Sequence, residues 1–175
     1  MKYLAEMTFP EVQEASKTAV ALLPAAAIEA HGPHLPLLTD VIIARGMATA
    51  GAQAIETRGL ASLAVVAPPL QFTPAGYAAS FPGTLSLSPE TARVVAREAI
   101  AALARAGFER VVIANAHLDP AHIGALHEVA QDSRAAGIRV TFPDITRKPW
   151  ALRLSDEFRS GACHAGQFET SIVMA

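Results

Sequence analysis

Short apolar runs alternate with alanine-rich stretches of helical spacing along this chain, and that alternation constrains its fold more than any other feature. "VALLPAAAI" (20–28), "SLAVVAPPL" (62–70), "RVVIANAH" (110–117) and "IRVTFP" (138–143) read as strands. The runs are continuously apolar rather than alternating, as strands are when both faces of their sheet are covered. Between them lie three helical stretches. Thr39 or Asp40 is expected to cap the first, which Gly59 ends. Ser88 and Pro89 open the second, with Ala96, Ala99, Ile100 and Leu103 on one apolar face, and Gly107 closes it. Asp119 and Pro120 open the third, which Gly137 ends. Strands that alternate with helices predict an α/β fold with a mostly parallel sheet between helical layers.

Composition narrows the class. The 175 residues suit one domain, 1–175, and the sequence has no internal repeat. Only 17% of residues are charged, the net charge is −2 and no basic run occurs, which argues against nucleic acid and anionic membranes as partners. With Cys163 as the one cysteine, an intramolecular disulfide cannot form. No apolar run reaches the ~18 residues of a membrane span, and the first residues lack a long apolar core. A cytoplasmic location is expected. The final "HAGQFETSIVMA" reads as the opening turns of a helix beginning near His164, with no C-cap signal, as in a fragment truncated at its C-terminus.

Polar residues gather just past the strand ends. "IEAHGPHLPLLTD" (28–40) holds Glu29, His31, His34 and Asp40 among two prolines and a glycine. Glu29 and His31 are two apart, so in extended backbone they point the same way. His117 and Asp119 follow another strand, and His164 and Glu169 lie on the last segment. Nitrogen and carboxylate donors from separate strand ends suit Zn²⁺, Mn²⁺ or Fe²⁺, and a carboxylate such as Asp40 can bridge two ions. The spacing alone leaves open whether these residues are ligands, helix caps or hydrogen-bonded loop residues.

Four segments, in order, resemble the creatininase family: "LLPAAAIEAHGPHLPLLTD", "SFPGTLSLSPET", "VVIANAHLDP" and "HAGQFETSIVMA". The resemblance spans Leu22 to Ala175. It implies a three-layer α/β/α domain, often hexameric, and a metal-dependent amidohydrolase. Such an enzyme uses two divalent ions, zinc first among them, and a metal-bound hydroxide to cleave a C–N bond in a cyclic amide, formamide or related small amide. Carried over position by position, it implies Glu29, His31, Asp40 and His117 as metal ligands, with Asp40 bridging. Glu169 and Asp119 compete for one further ligand role, with Glu169 favoured for its longer reach. His164 is implied to lie near the substrate, and we expect it to protonate the leaving nitrogen. This chain departs from the family at Ala25–Ala27, Leu118–Pro120 and Gln167, which puts the substrate in doubt. The alternative reading is a non-catalytic oligomeric subunit that binds a small ligand or metal on the same fold.

Other residues carry more modest expectations. His34 is expected to orient a ligand carboxylate through a hydrogen bond, and His122 and His127 to sit at a surface or interface. Cys163 reads as a small buried residue. Tyr77, Phe81 and Trp150 are candidates to line a pocket, with Trp150 the best candidate for a lid.

Overall fold

The computed structural model describes residues 2–60, 64–161 and 164–175. In chain order the elements are β1 (Lys2–Tyr3), α1 (Phe9–Ala15), β2 (Val20–Ala25), α2 (Thr39–Ile55), β3 (Ala64–Val66) and α3 (Pro89–Arg105). There follow β4 (Arg110–Asn115), α4 (Pro120–Ala135), β5 (Arg139–Thr141), α5 (Asp156–Ser160) and α6 (Gln167–Val173). The five strands form one parallel sheet in the order β1-β3-β2-β4-β5. This is the expected α/β fold.

Alternate residues of the strands face opposite layers. Ala21, Leu23, Ala25, Val111 and Ile113 pack with Ala15 of α1, Ile100 and Leu103 of α3, and Leu126 and Val129 of α4. Leu22 and Val66 face the other way, onto Ala48 and Ala52 of α2. Nearer the strand ends, Ala26, Val41 and Ala44 meet Val173 of α6. Each large aliphatic side chain buried this way contributes roughly 1.5–3 kcal/mol. Ala96 joins Ile100 and Leu103 in the buried face of α3, whereas Ala99 is half-buried. Among the described residues no helix is long and apolar enough to cross a membrane.

Three local expectations need correction. β1 and α1 were not foreseen. A two-residue strand carries no periodicity, but Thr8 and Glu11 do hold the capping-box spacing, and Glu11 accepts the Thr8 N–H at 2.7 Å. The strands are shorter than the apolar runs, because after Ala25 the chain leaves the sheet and Ala26 N–H donates to Leu70 C=O at 2.9 Å. Neither Thr39 nor Asp40 caps α2. Leu38 occupies that position, and the Thr39 hydroxyl turns back to donate to Pro36 C=O at 2.7 Å. Asp40 lies inside the first turn of the helix, free to point elsewhere.

The strand order creates the crevice. From β2 the chain crosses to β3 on one side, while β4 pairs with β2 on the other. The segments leaving β2 and β4 therefore diverge at the middle of the sheet, at the carboxyl ends of its strands, where open α/β sheets hold their ligands.

Candidate metal centre

Hydrogen bonds from neighbouring loops brace the segment after β2. Leu85 N–H donates to Ile28 C=O at 2.9 Å, Ala30 N–H to the Thr84 hydroxyl at 3.0 Å, and Glu29 N–H to Leu37 C=O at 3.2 Å. Thr84, the last residue of "FPGT", and Leu85 after it thus brace the residues flanking Glu29. The φ of +91° at Gly83 favours glycine there, and an added Cβ would also push aside the Leu37 methyl 2.5 Å away. Gly32, at φ +65°, makes the turn that follows His31.

Five side chains converge in this setting, all of them buried: Glu29, His31, Asp40, His117 and Glu169. His31 Nε2 lies 3.1 Å from Asp40 Oδ1 and 3.8 Å from Glu169 Oε1. His117 Nδ1 lies 2.9 Å from Asp40 Oδ2 and 3.0 Å from Glu29 Oε1. Among the described residues three groups could hold an ion: Glu29–Asp40–His117 and His31–Asp40–Glu169, which share Asp40 with one oxygen toward each, and Glu29–His31–His164, which adds a half-exposed histidine. Donors about 2.0–2.1 Å from a shared tetrahedral ion lie roughly 3–3.5 Å apart, so the closer of these spacings suit a shared ion.

The hydrogen bonds on the far sides of the imidazoles test the fit. A carbonyl can only accept, so His31 Nδ1 donates to Glu29 C=O at 3.1 Å and His117 Nε2 donates to Pro74 C=O at 2.8 Å. A neutral imidazole then turns a lone pair toward the carboxylates, acceptor against acceptor. Asp40 Oδ2 is buried and has no well-formed hydrogen bond, although it lies close to His117 Nδ1. Either the imidazoles carry extra protons or cations lie among these atoms. Without a cation, burial opposes charge on His31, yet Asp40 and Glu169 outweigh it and push its pKa up to about 10. Burial likewise opposes charge on His117, and Asp40 and Glu29 push it up to about 10. Burial would raise the Asp40 carboxyl, but His117 and His31 hold it well below the usual carboxylate range. Two basic imidazoles locked by backbone carbonyls, facing three buried carboxylates, fit the donor set of a divalent transition-metal centre.

The remaining candidates divide. Glu169 Oε2 accepts the Ala165 N–H at 2.5 Å, leaving Oε1 toward His31. Asp119 lies outside these groups. Its Oδ1 accepts from Ala121 N–H at 2.7 Å, and its Oδ2 from Gly76 N–H at 3.0 Å, so it caps α4 and ties that helix to the neighbouring turn. His164 is half-exposed. Its Nε2 donates to Ala30 C=O at 2.8 Å and its Nδ1 lies 3.7 Å from Glu29 Oε1. A cavity of about 920 Å³ opens over the cluster, and Tyr77, Phe81, Leu118, Asp119 and His164 help to line it. Trp150 is not among its lining residues and instead stacks beneath Arg153.

Two histidines are not where the sequence reading puts them. His34 reaches the Thr170 hydroxyl at 3.1 Å, beside Glu169 in the chain, rather than a carboxylate. His122 is buried, not at a surface. Its Nε2 lies 2.8 Å from Asn115 Oδ1, and its Nδ1 meets the Thr73 hydroxyl. Burial and the neighbouring His117 push its pKa down to about 3, so it stays neutral. His127 is half-buried and pairs with Asp144 at 2.7 Å. Cys163 lies outside the described residues. Asn115, Thr73 and Thr84 were missed altogether. Asn115 stands two residues before His117 and Thr84 lies inside "FPGT", but one sequence gives no sign of whom they bond.

The chain is similar to known proteins. The family model for creatininase, creatinine amidohydrolase, matches residues 5–175. A mycofactocin precursor peptide peptidase of Mycobacterium ulcerans (strain Agy99) is 32% identical over 161 residues, covering 87% of this chain and 56% of that protein. The chain thus spans little more than half of that relative's length. A creatinine amidohydrolase of Pseudomonas putida is 28% identical, covering 99% of this chain and 71% of the relative. A solved creatininase variant of Zn-Zn type superposes with a TM-score of 0.71 at 28% identity, covering 97% of this chain and 70% of its own. A manganese creatininase gives 0.70 at 29% identity with the same coverage. With the family model matched across nearly its whole length, this chain belongs to the creatininase family.

Proposed function

We propose that the protein is a metal-dependent amidohydrolase that cleaves the C–N bond of a cyclic amide, formamide or related small amide. Glu29, Asp40 and His117 would hold one divalent ion and His31, Asp40 and Glu169 a second, with Asp40 shared. Zinc is the first choice and manganese the second, since solved relatives are described in Zn-Zn and Mn forms. Such ions supply Lewis acidity to a carbonyl oxygen and acidify water near neutral pH. The observation that carries the reading is the pair of imidazoles whose outer nitrogens donate to carbonyls while their inner nitrogens face carboxylates.

The chain's own groups supply the rest. His164 sits on the cavity wall with Nε2 tied to Ala30 C=O, so Nδ1 is the atom that can hold a proton for the departing nitrogen. Tyr77 and Phe81 give apolar surface at the cavity wall, which favours a substrate with an apolar portion beside its amide.

A peptide is the second substrate reading. It is favoured by a cavity far larger than a small cyclic amide needs, and by a relative that is a peptide peptidase. A panel of cyclic amides, formamides and short peptides, assayed with Zn²⁺ or Mn²⁺ added, separates the two. Metal uptake without turnover across the whole panel would favour a non-catalytic binding subunit. The resemblance also carries the proposal of a homo-oligomer, a hexamer in the first instance, which light scattering tests.

A further inference from the structure

His122 has no place in the ligand set, yet it is among the most completely buried side chains. Its surroundings fix every proton. Asn115 Nδ2 donates to His117 C=O at 2.7 Å and Asn115 Oδ1 accepts the His117 N–H at 3.2 Å, so that oxygen is an acceptor. His122 Nε2 must therefore donate to it, and the neutral ring accepts the Thr73 hydroxyl on Nδ1. Thr73 adjoins Pro74, whose carbonyl receives His117 Nε2–H at 2.8 Å. The two imidazoles lie 5.0 Å apart, centroid to centroid.

We propose that His122 is a positioning residue for His117, acting through Asn115 on its backbone and through Thr73 and Pro74 on its ring. One side chain on α4 thereby joins the two structures that aim His117 Nδ1: the turn after β4 and the strap at residues 73–74. That strap has no other side-chain tie to α4 among the described hydrogen bonds except the contact of Asp119 with Gly76 two residues on. The direct hydrogen-bond partner of a ligating imidazole is worth about 10–100-fold in metal affinity, and His122 steadies that partner, the Pro74 carbonyl, through Thr73.

The inference rests on the proposed metal centre, so its test includes a reading that needs no metal. The variants are His122→Phe, which keeps most of the volume, and Thr73→Val, which removes only a hydroxyl. Cobalt(II) titration followed by visible absorption reads the two sites. Hydrogen exchange of His117 Nε2–H, assigned by its loss in His117→Asn, reads the ring in metal-free protein. We expect both variants to weaken one cobalt site by about 10–100-fold, leave the other within about threefold, and speed exchange of that proton at least about tenfold. Unchanged cobalt affinity with an unchanged exchange rate overturns the proposal, whatever happens to the melting temperature. Equal weakening of both sites also overturns it, since that marks general loosening. If His122→Phe does not fold, Thr73→Val decides. If the wild type takes up no cobalt, the metal centre fails, and the exchange rates alone still decide whether His122 positions His117.

Discussion

Asp40 and Asp119 occupy matching places in the fold and do opposite things. Each follows a central strand at its carboxyl end, and each stands at the start of a helix. Asp119 precedes Pro120 as the N-cap of α4, and backbone N–H groups occupy both its oxygens. Asp40 lies within the first turn of α2, where its carboxylate turns inward between His31 and His117. The difference is a shift of two positions along a helix start. A cap faces the helix's own open N–H groups, whereas a residue already in the helix can point at whatever packs against that end. An aspartate's role here follows from its register against the helix, not from its distance to the nearest histidine in sequence.

Asp40→Ala should have the largest effect. Activity should fall to background and at least one ion should be lost, because one side chain serves two of the groups. A folded Asp40→Ala protein that keeps its full metal content contradicts this. His164→Ala should come next, lowering turnover by about 10²–10⁴-fold with metal content intact. Metal loss in that variant would move His164 into the ligand set, since it also lies beside Glu29 and His31.

The pH dependence of stability in metal-free protein gives a smaller, signed effect. His31 and His117 are raised from 6.5 to about 10, so their contribution is complete below pH 6.5 and is lost as pH rises toward 10. His122 is depressed from 6.5 to about 3, so its contribution is present above 6.5 and is lost as pH falls toward 3. Metal-free protein should therefore be most stable near pH 6.5, and metal should abolish the alkaline decline by replacing the protons. Thermal melts across pH, with and without zinc, check this. A metal-free melting temperature that stays flat from pH 6.5 to 10 counts against the geometry. Asp119→Ala should have the least effect, about 0.5–2 kcal/mol of stability from the lost cap with metal retained. Metal loss there, with Glu169→Gln keeping both ions, would reverse the roles of the two acids.

What was legible in the sequence follows the same logic of register. Strand–helix alternation and the caps at Ser88 and Asp119 rest on local chemistry, and the structure repeats them. Glu29 and His31 could be paired because extended backbone has a period of two. His122, expected at a surface or interface, is buried instead, because on α4 its place depends on Thr73 and Asn115, which are remote or unmarked in the sequence. β1 escaped because two residues carry no period. The cap of α2 was misjudged because proline-rich loops can deliver a helix start at Leu38, where no capping side chain announces it.

Under the proposed function Asp40 joins two ion sites. Elemental analysis of gently purified protein, wild type beside Asp40→Asn and Asp119→Asn, tests it most directly. About two ions per chain are expected in the wild type and in Asp119→Asn, and one or none in Asp40→Asn. Less than about half an equivalent in the wild type, with none regained on adding Zn²⁺ or Mn²⁺, or equal metal in all three proteins, would contradict it.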